Sequence, residues 1–222
     1  MKKTNNFKSS YIGMRNDILI LIPDTVSKVL DVGCSVGALG EQIKQRNRAE
    51  VVGIEIDEQM VKVAKEKLDR VIIGDVEKLN LTSYLAPNYF DCIVFADVLE
   101  HLKNPWDVLK SATRFLSNDG VVLASIPNVR HYTTIMNLVI KGYWPYRERG
   151  IHDKTHLRFF TLRNIKEMFQ NAGLEIVRVE RNYRIIERPH QFNRFSKYFA
   201  FPLFKDFLTF QYLVVGRKRG KR

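Results

Sequence analysis

Two cysteines in 222 residues, Cys34 and Cys92, are too few for a disulfide framework. No Cys/His group has the spacing of a zinc site, so no metal is expected from the sequence. The opening MKKTNNFKSS lacks the apolar stretch of a secretory leader. No apolar run approaches the roughly 20 residues of a membrane span. Internal repeats and low-complexity segments are absent too. These absences argue against a secreted scaffold, a solenoid and an integral membrane protein, and we expect a cytoplasmic one. Hydrophobic residues make up 45% of the chain, enough for one domain with its own core.

Acidic residues become scarce toward the C-terminus. The net charge of +12 is unevenly spread: from Arg181 onward eleven basic residues face only Glu187 and Asp206, a net +9. Such a patch favours an anionic partner such as phosphate, nucleic acid or a lipid headgroup, although RKRGKR also reads as a solubilising end. The stretch 187–210 interleaves Phe192, Phe195, Tyr198, Phe199, Phe201, Phe204 and Phe207 with Arg194, Lys197 and Lys205. It suits peripheral contact with an anionic membrane, packing across a sheet edge, or a homodimer contact. Pro202 rules out one long helix there.

Strand and helix signals alternate along the body. Apolar, β-branched runs lie at 28–32, 50–54, 71–73, 90–95 and 120–126, and two later ones at 174–179 and 211–215. Helical patterns fill 38–46, 58–68 and 105–116, with Asp57 and Asn104 as caps and Pro105 in the first turn. Alternation with short connections predicts an α/β fold with a parallel sheet covered on both faces. Residues 127–160 break the rhythm. They form a longer connection, rich in His, Trp, Tyr and Arg, with a helix predicted over 132–140. A last helix starts at Thr161 and ends at Gly173.

Ligands of such sheets sit beyond the carboxyl ends of the strands. The first strand is followed by Gly33-Cys34-Ser35-Val36-Gly37, a tight turn into a helix whose N–H groups are free. The second ends at Glu55, 22 residues after Gly33, near the spacing of an acid that accepts from ribose hydroxyls. Gly74-Asp75-Val76 follows the third and Phe95-Ala96-Asp97 the fourth. Each alone reads as a plain turn, a solvated acid or a helix cap. Their recurrence at successive strand ends points to one shared ligand. A nicotinamide dinucleotide wants three glycines, so that its pyrophosphate reaches the helix N-terminus. Here Ser35 stands where one of them would be. S-adenosylmethionine has no phosphate and needs acceptors, which Asp31, Glu55 and Asp75 supply.

With these motifs the chain resembles class I S-adenosylmethionine-dependent methyltransferases. The resemblance rests on VLDVGCSVG (29–37), VVGIEID (51–57), GDVEKL (74–79), FDCIVFADVLEHLKNPWDVL (90–109), SIPNVRH (125–131), HDKTHLRFFT (152–161) and FQYLVVGRK (210–218). It implies a seven-stranded Rossmann-like sheet in order 3-2-1-4-5-7-6 with the last strand antiparallel. It further implies that Asp31, Gly33, Cys34, Ser35 and Gly37 shape the methionine end of the donor site. Glu55 would bind ribose and Ile56 pack on adenine. Asp75 and Val76 would read the adenine edge, with Phe95 and Asp97 beside the methionine part. LEHL and DKTHLRFFT are similar to a subgroup that acts on small molecules and on sugar or lipid precursors.

The acceptor side is expected over the fourth and fifth strand ends. An oxygen acceptor wants a general base, most often His. His156 and His131 are the candidates, with Asp153 three residues before His156 to orient it. His101 suits a structural role equally well, and Arg147, Arg158, Tyr143 and Trp144 are candidates for the pocket wall or for a packed lid. We therefore expect O-methylation of a small-molecule, sugar or lipid-linked acceptor. The +9 segment keeps an RNA methyltransferase in view. Against it, FADV replaces the Asn/Asp-Pro-Pro-aromatic motif of base-nitrogen methylation, and no Pro-Cys nucleophile is present. A membrane-bound donor-binding protein without turnover, and more remotely a dehydrogenase, complete the alternatives.

Overall fold

The computed structural model describes residues 15–186, 190–195 and 204–219. Seven strands form one sheet: β1 (Lys28–Val32), β2 (Glu50–Glu55), β3 (Arg70–Ile73), β4 (Phe90–Ala96), β5 (Leu116–Pro127), β6 (Leu174–Tyr183) and β7 (Thr209–Lys218). Their order is β3-β2-β1-β4-β5-β7-β6. The first five strands pair in parallel, and β7 runs antiparallel to both β5 and β6. This is the Rossmann-like sheet the motifs implied.

The period-2 alternation of strand side chains divides the core in two. Leu30, Ile93 and Phe95 face one side, where α4 (Pro105–Ala112) and α6 (Leu162–Asn171) add Leu109, Ile165 and Phe169. Val29, Cys92 and Val94 face the other, under α1 (Asn16–Leu19), α2 (Ala38–Asn47) and α3 (Glu58–Ala64), which add Ile18, Ile43 and Ala64. Each large apolar side chain buried this way is worth about 1.5–3 kcal/mol relative to exposure.

The caps fall where the sequence puts them. Asp57 accepts from the N–H groups of Gln59 and Met60, and Asn104 from that of Asp107. Thr161 and Asn164 close a reciprocal capping box on α6, and Gly173, at φ 79°, ends it. Some boundaries differ. α4 stops at Ala112 because Leu116 already pairs with Phe90 as the first residue of β5. Over 132–140 only α5 (Tyr132–Ile135) is regular, and it runs into a π-helical turn, Met136–Ile140.

Of the basic aromatic stretch, Tyr198, Phe199, Phe201, Lys197 and Pro202 lie outside the described residues, as does 220–222. Its end forms α7 (Lys205–Leu208), which leads into β7. Among the described residues, no helix is long and apolar enough to cross a membrane.

Candidate active site

The turn after β1 is closed by backbone. The N–H groups of Gly33 and Cys34 both donate to the Ile54 carbonyl of β2, at 2.8 and 3.1 Å. Gly33 has φ 72°, and a Cβ there would lie 2.5 Å from Val98 Cγ2, so only glycine fits without a shift. Gly37, at φ 75°, turns the chain into α2. Ser35, between them, also sits in the left-handed region at φ 51°, which side chains avoid. That geometry, rather than the space for a ligand, is what a third glycine would relieve.

Glu55 ties this turn to the next one. Its Oε2 accepts from the Ser35 N–H at 2.8 Å, and its Oε1 from those of Ile56 and Asp57 at 2.8 and 2.9 Å. Only 8% exposed, the carboxylate is held rigid at the end of β2. Asp31 is 1% exposed, and its Oδ1 has no hydrogen-bond partner among the described residues. Burial, and then the nearby Glu55, push its carboxyl up to about 7. Beyond β3, burial works against the Asp75 charge, but the Glu77 N–H and Lys78 more than offset it and hold the carboxyl below its usual range.

Asp97 follows β4 at φ 57° and is claimed by a network. Arg15, just before α1, reaches its Oδ2, while Ser125 of β5 (2.5 Å) and Gln211 of β7 donate to its Oδ1. Arg15 also donates to Ser125 Oγ at 2.9 Å and to Asp17 at 3.0 Å. Burial opposes the Arg15 charge, yet Asp97 and Asp17 hold the guanidinium firmly ionised.

Past Asp97 a short 3₁₀ turn, Leu99–His101, carries Glu100 and His101. The chain from 147 to 158 folds down onto it. The N–H groups of Leu157 and Arg158 donate to the Glu100 carbonyl at 2.8 and 3.0 Å. This brings His156 against His101, their ring centroids 4.7 Å apart and edge to face. His156 Nδ1 faces the Ile151 carbonyl at 3.1 Å, which assigns the proton to Nδ1 and leaves the Nε2 lone pair unprotonated. Burial first, and His101 second, lower its pKa below the ordinary imidazole value. The ring is therefore neutral at pH 7 and able to accept a proton. Asp153 does not hydrogen-bond this ring. Its Oδ1 accepts from the Thr155 N–H and hydroxyl, at 2.8 and 2.6 Å.

A single cavity of about 1990 Å³ joins all of this. One part of its lining is Asp31, Gly33, Ser35, Glu55, Ile56 and Asp75, another is Glu100, His101, Asp153 and His156, and Arg15 and Asp97 line it too.

Residues 14–179 match the methyltransferase-domain family. The chain belongs to that family. Ubiquinone biosynthesis O-methyltransferases from Azoarcus sp. and Neisseria meningitidis are 31% and 25% identical to it, over 68% and 67% of this chain. The matched stretch spans 65% and 64% of those relatives, less than two thirds of their length. A SAM-dependent methyltransferase from Archaeoglobus fulgidus superposes with a TM-score of 0.69 over 95% of this chain and 97% of its own, at 19% identity, which is likeness of fold.

S-adenosylmethionine is the methyl donor this methyltransferase domain implies, and the residues present fit it. The Asp31 oxygen without a partner is a buried acceptor beside the glycine turn, suited to a cation. Gly33 keeps the turn free of any side chain, and Ile56, 64% exposed, offers an apolar face on the same wall.

Several expectations need correction. His131 is 0% exposed and does not line the cavity. Its Nε2 faces the Arg184 carbonyl at 2.8 Å and its Nδ1 the Thr133 hydroxyl at 2.8 Å, so both nitrogens are engaged in capping α5 and anchoring the β6 end. Phe95 points into the core, because alternation along β4 gives the wall to Ala96. The Asp153–His156 pair is not joined side chain to side chain; the His156 N–H donates to the Asp153 carbonyl instead. Of the proposed pocket wall, Arg147 lines the cavity, whereas Arg158 caps Lys103 and Trp144 packs on His152 and Phe159. Tyr143 is not among the lining residues either. Sequence reasoning missed Arg15, which stands outside every motif, and Glu100, whose only signal is its place beside His101 in LEHL.

Proposed function

We propose that this domain is an S-adenosylmethionine-dependent O-methyltransferase acting on a small-molecule, sugar or lipid-linked acceptor, with His156 as general base. The observation that carries the reading is the continuity of the cavity from the glycine turn to His156. The donor supplies a sulfonium methyl together with its own leaving group, so little covalent chemistry falls to the protein. The chain's work is to align and to move one proton. Glu55 and Ile56 would take the nucleoside, Asp75 and Val76 the adenine edge, and Asp31 the positive end of the methionine part. Arg15 lines the cavity with its charge already paired to Asp97 and Asp17. His156 lines the part of the cavity it shares with Glu100 and His101, and its Nε2 would accept the hydroxyl proton there. The O-methyltransferase names of the relatives support an oxygen acceptor, and the breadth of the cavity supports a sizeable one.

Incubating the chain with isotopically labelled donor and a panel of phenolic, sugar and prenylated hydroxyl compounds tests this. Mass spectrometry should find the label on oxygen. Label found only on nitrogen or on RNA would overturn the acceptor class, and lack of S-adenosylhomocysteine binding by calorimetry would overturn the donor.

A further inference from the structure

The part of the cavity lined by the turn after β4 holds a group that methyl transfer alone does not explain. Glu100 is 1% exposed, and neither of its carboxylate oxygens has a hydrogen-bond partner among the described residues. A buried carboxylate in that state is costly unless something positive meets it. Arg15, the guanidinium whose charge acts on Glu100, is committed to Asp97, Asp17 and Ser125.

Two imidazoles lie beside it. His101 Nδ1 faces the Thr155 carbonyl at 3.3 Å, and the Thr155 hydroxyl gives its own proton to Asp153. His156 Nδ1 faces the Ile151 carbonyl. Both rings are thereby oriented through Nδ1, with the Nε2 lone pair left over on each. One nitrogen of each ring and a Glu100 oxygen all lie within 4.8 Å of one another. Bonds of about 2.0–2.2 Å to a common centre would put such atoms roughly 3–4 Å apart, so a small side-chain adjustment closes the set. Carbonyl groups behind the ligating histidines are the arrangement metal sites use to fix tautomer and direction.

We propose that Glu100, His101 and His156 form a divalent-cation site of the two-histidine, one-carboxylate kind, at the acceptor end of the cavity. Nitrogen donors favour a first-row transition cation such as Zn²⁺ or Mn²⁺ over Mg²⁺, which prefers oxygen throughout. Three protein ligands leave coordination positions open toward the cavity. They suit an acceptor hydroxyl flanked by a second oxygen, which a cation would hold and acidify. That last role rests on the O-methyltransferase reading, whereas the cation site itself does not. With a cation bound, the His156 Nε2 lone pair would be used for ligation; the cation would lower the pKa of the acceptor hydroxyl, and its proton would pass to water in the open cavity rather than to the imidazole.

The test uses the full chain stripped with a chelator and titrated with Zn²⁺, Mn²⁺ and Mg²⁺. Calorimetry and thermal melting are the readouts, and S-adenosylhomocysteine is titrated in parallel. One equivalent of Zn²⁺ or Mn²⁺ should bind and raise the melting temperature, with Mg²⁺ weaker. Glu100→Gln and His156→Gln should each weaken cation binding by at least about tenfold, while His190→Ala, outside the cavity, should not. Burial, and then Asp97, raise the Glu100 carboxyl well above its ordinary value, so Glu100→Gln keeps the shape of a side chain whose charge is already disfavoured and should keep the fold, which the melt without cation verifies. Absence of binding up to about 1 mM cation, or binding unaltered in Glu100→Gln, overturns the site. S-adenosylhomocysteine binding without cation binding defeats this inference alone. Cation binding without S-adenosylhomocysteine binding leaves the site standing and defeats the methyltransferase reading.

Discussion

The two ends of the cavity are built in opposite ways. The donor end is made of backbone: two glycines and a serine at positive φ, and a Glu55 carboxylate that accepts three N–H groups. Its parts come from consecutive strand-to-helix turns. The acceptor end is made of side chains from distant segments, with Glu100 and His101 from the turn after β4 and His156 from the 147–158 fold-over. A rigid local frame suits a fixed ligand, and side chains brought together from separate segments allow one fold to host different chemistry.

The contrast can be broken most severely at the acceptor end. His156→Ala should lower turnover by about two to four orders of magnitude while S-adenosylhomocysteine affinity stays close to wild type. Turnover that survives would move the chemistry elsewhere. At the donor end the pattern should invert. Glu55→Ala removes charge-assisted hydrogen bonds worth about 1.5–3 kcal/mol each, so donor affinity should fall roughly 10- to 100-fold by calorimetry. Unchanged affinity would leave Glu55 with only its role in the turn.

Asp31 sharpens the comparison through pH. Its folded pKa is raised to about 7, so the folded chain keeps a proton that the unfolded chain releases near the ordinary carboxylate value. Stability from this group is therefore present at low pH and is lost as pH climbs from about 4 through about 7. Asp31→Asn should flatten that decline in denaturation midpoints measured across the range. The ionised form should also favour the ammonium that S-adenosylmethionine and S-adenosylhomocysteine share, so Asp31→Asn should weaken both ligands to a similar degree by calorimetry at about pH 7. Unchanged affinity for both would remove Asp31 from the donor's charge. The smallest effect is at Ser35. Replacing it by glycine relieves about 1–2 kcal/mol of left-handed strain against about 0.5–1 kcal/mol of added chain entropy. Ser35→Gly should thus stabilise the protein slightly in urea titrations, and a loss of stability would show that the Ser35 hydroxyl matters more than its backbone.

The donor end was legible in the sequence because each of its residues sits at a fixed offset from a strand signal. Gly33, Glu55 and Asp75 follow apolar runs directly, and the structure puts all three on one wall. Phe95 was misplaced for a simple reason: a one-residue step along a strand reverses the face. The acceptor end was legible only as a list of residue types. Nothing local distinguishes His156, which meets the cavity, from His131, which caps a helix. The difference lies in the bonds from Leu157 and Arg158 to Glu100, more than 50 positions away. Arg15 was invisible because its partners, Asp97 and Ser125, are 82 and 110 residues distant.

The place of β7 has a consequence for how the molecule comes into being. β7 lies between β5 and β6, and its first eight residues are buried. On the ribosome, β5 would emerge with a naked edge and stay so until residues 209–218 follow it out. Such a late, long-range closure slows folding and leaves a sticky intermediate to be shielded. It also puts Gln211, which grips Asp97, on the last strand to arrive. The centre of the cavity is thus among the final features to take shape, and a half-made chain cannot assemble a working site.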